Sequence, residues 1–286
     1  MVRLTHAKYK YEDLLLIISI ISTIAALYFF YDFQPLLTIL GIAIALFYIR
    51  LVQGQYLGNS LQVSKKHFFR LKQIIEDQSE LLRIKEPKLF IYQDPYPNAY
   101  TLGYKNPYSI VLSSSLVEGL SEEELEAVIA HELGHVKFNH SRISSIVSPA
   151  GKNIPVLTWI FGFWQRSAEF TADRVSLMTT ENPRSLITTL VKIGIGTKFL
   201  EQIDEDELLD QSRKVQKSIF NKWGELLNNH PYLTRRVNKI IEWSKEEGFT
   251  YYKGGKMFCI NCGTQISVSA KYCPKCGIDI KTKENR

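Results

Sequence analysis

Apolar residues run without a charge from Leu14 to Tyr31 (LLLIISIISTIAALYFFY), break at Asp32-Phe33-Gln34-Pro35, and resume from Leu36 to Ile49. The first run approaches the roughly 20 residues that cross a hydrocarbon core, and the second does so only with its flanks. Together they predict a transmembrane hairpin, against the alternative of a buried helical pair in a soluble protein. The segment ends in Tyr28-Phe29-Phe30-Tyr31 instead of a small-residue cleavage site, which predicts an anchor retained in the mature chain. Arg3, Lys8 and Lys10 precede the hairpin, Arg50, Lys65, Lys66 and Arg70 follow it, and its turn has neither Lys nor Arg. Positive charge on both flanks predicts a multi-pass protein of the cell membrane with both ends in the cytoplasm.

Beyond the hairpin the periodicity changes. From Ser60 to Arg83, apolar residues recur every three to four positions among charges, as in an amphipathic helix. Lys88–Tyr92 (KLFIY) and Tyr108–Leu112 (YSIVL) read as short strands, with Asn98–Tyr104 (NAYTLGY) as a third. Ser121-Glu122-Glu123-Glu124 fits a capping box and predicts a helix running to about His140, with Leu125, Val128, Ile129, Leu133 and Val136 facing inward. The fold class is therefore mainly α with a small β-sheet.

That capped helix carries His131-Glu132-Leu133-Gly134-His135. Residues four apart on a helix share a face, so both imidazoles can reach one ion, and zinc suits them. Glu132 projects about 100° away around the axis and is placed as a base, not a ligand. A second predicted helix, Ser167–Arg174 (SAEFTADR), offers Glu169 as third ligand. Asp173, on the same face, could take the free N–H of a ligating histidine. The alternative is that both carboxylates merely pair with Arg166 and Arg174.

NAYTLG at 98–103, HELGH at 131–135, EFTAD at 169–173 and HPYLTRRV at 230–237 form an ordered set. The set resembles the HtpX-like and CAAX-prenyl-endopeptidase group of membrane gluzincins over most of residues 60–245. The resemblance implies an α+β zincin-like peptidase domain in which His131, His135 and Glu169 hold a catalytic zinc and Glu132 is catalytic. It also implies that a polypeptide substrate lies along the strand at Asn98 and Ala99, and that His230 and Arg236 approach from a later loop and helix. There a cation or imidazolium would help neutralise an oxyanion, although His230-Pro231 reads equally well as an ordinary helix start. The chain departs from the four-span HtpX pattern, because 154–164 (IPVLTWIFGFW) gives only 11 uncharged residues. That stretch is expected to pack beside the site or to lie at the membrane interface through Trp159 and Trp164.

The four cysteines form two Cys-x-x-Cys-Gly pairs, Cys259/Cys262 and Cys273/Cys276. The pattern predicts a structural zinc held by four thiolates in a zinc ribbon, and a reducing compartment. The resulting plan is a membrane anchor at 1–53, a metallopeptidase domain at 54–245, a linker at 246–257 and the ribbon at 258–286. A net charge of +6 and a pI near 9.0 suit a bilayer's anionic face but do not exclude nucleic acid. The catalytic segments give nucleic acid no support. The expected function is endopeptidase action on unfolded or membrane proteins, with the ribbon binding a protein partner. The competing reading is a non-catalytic membrane-tethered adaptor.

Overall fold

The computed structural model describes residues 7–103, 106–147, 155–196, 207, 210–211, 214–215, 217–225, 228, 230–247, 249, 251–253, 256–258, 264–266 and 272–277. Two N-terminal helices, α1 (Glu12–Phe33) and α2 (Pro35–Gly58), form the expected hairpin, with Pro35 in the first turn of the second. Large apolar side chains along both point outward, among them Ile17, Ile21, Ile24, Phe29, Leu37, Leu40 and Phe47. Among the described residues only α1 is long and apolar enough to cross a membrane. The apolar part of α2, Pro35–Tyr48, is shorter.

The chain leaves α2 as a strand, not as the expected helix from Ser60. β1 (Ser60–Gln62) pairs antiparallel with β2 (Lys88–Tyr92), and the amphipathic helix α3 begins only at Phe69 and ends at Leu82. Pairing with Phe90, Ile91 and Tyr92 overrides the local helical period. β3 (Ala99–Leu102) and β4 (Ser109–Ser113) complete a four-stranded sheet in the order β1-β2-β4-β3, where only β2 and β4 are parallel. The sheet thus has one strand more than expected, and β3 lies at its edge.

After α4 (Ser114–Gly119), α5 (Glu122–Lys137) starts on the predicted capping box: Glu124 N–H donates to Ser121 Oγ, and Ser121 N–H to Glu124 Oε2. α5 stops three residues short of His140, because Asn139 takes a left-handed φ of 61° and a new helix, α6 (His140–Val147), begins. Asn tolerates that conformation better than most residues. Val147, Phe161, Trp164 and Ala168 pack with Leu15 and Leu16 of α1. Residues 154–164 and 167–174 belong largely to one helix, α7 (Pro155–Thr180), whose apolar start continues straight into the acidic segment. Trp164 is therefore a core residue, while Trp159 is 75% exposed.

Leu125, Val128, Ile129 and Leu133 of α5 pack with α3, the sheet and Val175 of α7. Ala127, Phe170 and Leu177 pack on α8 (Pro183–Ile195) and on a C-terminal helix, here α10 (Leu233–Glu247), which α9 (Ile219–Glu225) precedes. At the crossing of α5 and α7, a Cβ on Gly134 would stand 3.1 Å from both Ala172 Cα and Val175 Cβ. Gly134→Val should lower the thermal midpoint of the solubilised protein. Overpacking costs about 1–3 kcal/mol, which exceeds the smaller gain from removing glycine from a helix. A midpoint at or above wild type would show that the helices can part freely. In the stretch expected to be a linker, β5 (Tyr251–Lys253) and β6 (Lys256–Phe258) pair antiparallel, and β7 (Gln265–Ile266) joins them.

Candidate active site

Helix α5 presents His131 and His135 one turn apart, and the close crossing at Gly134 brings Glu169 of α7 against them. Nε2 of His131 and Nε2 of His135 lie 3.2 Å apart, and Glu169 carboxylate oxygens lie 3.5 Å and 3.4 Å from them respectively. Tetrahedral zinc with ligand distances of about 2.0–2.1 Å has donor-to-donor edges of about 3.3–3.4 Å. The His131–His135 edge lies close to that figure, and Glu169 meets the two imidazoles through different oxygens, Oε2 toward His131 and Oε1 toward His135. Two imidazole lone pairs and a carboxylate facing one another are also a chemically sensible cradle for a divalent cation, so the residues fit zinc.

The electrostatics agree. Burial opposes protonation of His131, yet the carboxylates of Asp173 and Glu169 hold it up to about 10, a measure of the negative potential converging there. Burial opposes ionisation of Glu169 as well, but the facing His230, His131 and His135 hold its carboxyl well below the usual range. Behind the triad, Asp173 is fully buried, with Oδ1 3.0 Å from His131 Nδ1 but not aligned as a full hydrogen bond. Arg236 donates to both Asp173 oxygens, through Nε at 2.8 Å and Nη2 at 2.6 Å, and its Nη1 lies 3.4 Å from Glu169 Oε2. Against burial, that guanidinium keeps Asp173 ionised.

Glu132 is buried and lies outside the donor triad. Thr101 of β3 donates to its Oε2 at 2.6 Å, so the edge strand orients the side chain expected to be the base. Asn98, Ala99, Tyr100 and Thr101 line one wall of a cleft of about 440 Å³. Asn98 is tied to β4: its N–H donates to Ser113 Oγ, and its carbonyl accepts from Ser113 N–H. Thr101→Val keeps shape and removes the hydroxyl. It should cut turnover about tenfold, a fraction of the 10²–10⁴ typical of a positioned base, with zinc content unchanged. Unchanged turnover would leave Thr101 no orienting role.

Arg236 lines the cleft, and its guanidinium is engaged mainly with Asp173 behind His131. His230 is the more open group: its side chain is 69% exposed, and Nδ1 lies 3.2 Å from Glu169 Oε1, whose charge raises its pKa. Contacts on both sides of it in the chain form a clamp. Arg166 Nη1 donates to the carbonyl of Asn228, while Glu225 accepts from Tyr232 N–H and from Arg235 Nη1. Sequence reading missed Thr101, Gly134 and this clamp, because each acts through a neighbour distant in the chain. Arg166 was visible only as a partner for the acidic residues.

Of the C-terminal cysteines, Cys273 is buried, Cys276 is exposed, and Gly277 takes a φ of 72°, as the tight turn after a Cys-x-x-Cys pair requires. Cys259 and Cys262 lie outside the described residues.

A membrane-type apolar helix, a His-Glu-x-x-His helix and a distant glutamate completing a zinc-sized triad define a metallopeptidase. The profile of "Peptidase family M48" matches residues 65–158 and 150–244, and the chain belongs to that family. A zinc-ribbon domain matches residues 258–280. The chain is 33% identical over 210 residues to the "Plastoglobule-localized metallopeptidase 48, chloroplastic" of Arabidopsis thaliana, covering 66% of this chain and 61% of that protein. It is 24% identical over 252 residues to a "Protease HtpX homolog" of Limosilactobacillus reuteri, covering 71% and 85%. The crystal structure of S. mikatae Ste24p aligns at a TM-score of 0.45 and 16% identity over 80% of this chain and 64% of that one.

Proposed function

We propose that this protein is a membrane-anchored zinc endopeptidase acting on unfolded or membrane-embedded polypeptides at the cytoplasmic surface. One arrangement carries the reading: two imidazoles and a carboxylate converging on one point, with a separate buried carboxylate held aside by the edge strand. His131, His135 and Glu169 hold the catalytic zinc, and Asp173 and Arg236 brace them. Zinc bound there supplies Lewis-acid chemistry, lowering the pKa of water toward about 7 and polarising a carbonyl. Glu132 takes the proton of the attacking water at its carboxylate and passes it to the leaving amine. His230 stands where it can donate to the developing oxyanion. A substrate strand adds beside Asn98 and Ala99, binding through backbone hydrogen bonds with little sequence selectivity. Cys259, Cys262, Cys273 and Cys276 hold a second, structural zinc, and the ribbon engages a protein partner.

The anchor at 1–53 spans the bilayer twice, with the 54–245 domain, the 246–257 connection and the ribbon at 258–286 in the cytoplasm. α1 and α7 run antiparallel, for Ser19 Oγ donates to the carbonyl of Ile160 while Glu12 meets Thr171. The nine residues from Ile160 to Glu169 on α7 cover about 14 Å. With α1 in the bilayer, the triad would stand at the membrane surface and the exposed Val156, Trp159 and Phe163 would face lipid at the interface. The full-length protein in detergent should cleave an unfolded protein, lose that activity on mild chelation with its helical content retained, and regain it with zinc. Cleavage that survives chelation would overturn the reading.

A further inference from the structure

Glu12, the first residue of the anchor helix, is only 2% exposed although it opens an apolar span. A carboxylate buried there costs several kcal/mol unless its oxygens are matched, and each is. Oε1 lies 3.0 Å from His140 Nε2, and Oε2 accepts from the Thr171 hydroxyl. Thr171 Oγ1 in turn accepts from Tyr9 N–H at 2.9 Å, and Lys8 Nζ stands 3.8 Å from Oε1. His140 is equally buried, between Phe138 and Trp164. Its other nitrogen, Nδ1, lies 3.1 Å from Nδ1 of His135.

The tautomers follow from connectivity. His135 turns Nε2 toward His131 and Glu169, so its proton is on Nδ1 and donates to Nδ1 of His140. His140 then carries its proton on Nε2 and donates to Glu12. We propose that His140 and Glu12 are positioning residues of the metal centre: a relay from the membrane anchor that fixes the tautomer and orientation of His135. This rests on the zinc reading above. It makes the docked start of α1 a component of the site, equivalent for His135 to what Asp173 and Arg236 do for His131. The anchor's attachment to the domain and the site's hold on its metal are then one property.

Outer partners of metal-bound histidines are typically worth about 10–100-fold in metal affinity, so the full-length protein in detergent gives a direct test. Zinc is titrated against a competing chelator, and cobalt substitution separates the sites, because thiolate charge-transfer bands report the ribbon and weak visible bands the histidine site. Glu12→Met, which keeps the bulk but cannot accept from His140 Nε2–H, and His140→Ala should weaken zinc at the histidine site about 10–100-fold and shift its cobalt bands, leaving the ribbon bands unchanged. His140→Asn, whose Oδ1 can accept from His135 Nδ1–H, should recover part of the loss. A role in folding alone would lower thermal stability in all three without moving affinity or spectrum. If His140→Ala does not fold, Glu12→Met and His140→Asn decide. Zinc affinity within about twofold of wild type, against the 10–100-fold expected, together with unchanged bands in Glu12→Met would overturn the relay. If His135→Ala also leaves the histidine-site bands intact, the zinc assignment itself fails.

Discussion

Glu132→Gln is expected to reduce peptide cleavage by a factor of about 10²–10⁴ while leaving the zinc content and the fold unchanged. The amide keeps the shape of the side chain and can still accept from Thr101, which donates at 2.6 Å to the native carboxylate. What it loses is the ability to take a proton. Because Glu132 stands outside the donor triad, metal binding should not change. Turnover of an unfolded protein substrate and metal analysis on the same purified sample give both numbers. Activity within tenfold of wild type, less than the loss of a base should cause, would remove Glu132 from the chemistry; lost zinc would make it a ligand.

Asp173→Ala should have the largest effect on stability. Asp173 is wholly buried, accepts two hydrogen bonds from Arg236, and faces His131 Nδ1 at 3.0 Å. Its removal leaves a largely buried guanidinium with the more distant Glu169 and Glu132 as its remaining acidic neighbours. Breaking a buried pair from one side typically costs about 3–5 kcal/mol, and loss of the partner behind His131 should weaken zinc about 10–100-fold. The expected result is a lower thermal midpoint even with saturating zinc, together with easier loss of zinc to a chelator. Arg236→Ala should reproduce much of both effects, because the two side chains form one unit. If Arg236→Ala instead lost turnover at full zinc occupancy and unchanged stability, Arg236 would belong to the reacting groups and not to the brace.

The two candidate metal-binding histidines were legible because both lie on one helix, where spacing alone sets direction, and because the Ser121–Glu124 capping box marks the start of that helix. Glu169 was legible as a candidate from its own four-residue spacing to Asp173, helped by the ordered set of motifs. Ser60–Gln62 read as helix, because its apolar period continues into α3. Only pairing with β2 across the intervening helix made it a strand. The apolar stretch at 154–164 read as a separate element because nothing local shows that α7 runs on unbroken through Glu169 to Thr180.

By itself, then, the order of residues determined what is local: the apolar hairpin, the capped helix, the facing imidazoles and the turn at Cys273–Gly277. Each follows from a periodicity or a turn preference within a few residues. Only the tertiary structure decided which distant groups support them, bringing Thr101 to Glu132, Arg236 to Asp173, and Glu12 through His140 to His135. Those contacts depend on how helices cross and where a strand falls at a sheet edge. A close approach such as that at Gly134 is a property of two surfaces packed together, and no single segment encodes it.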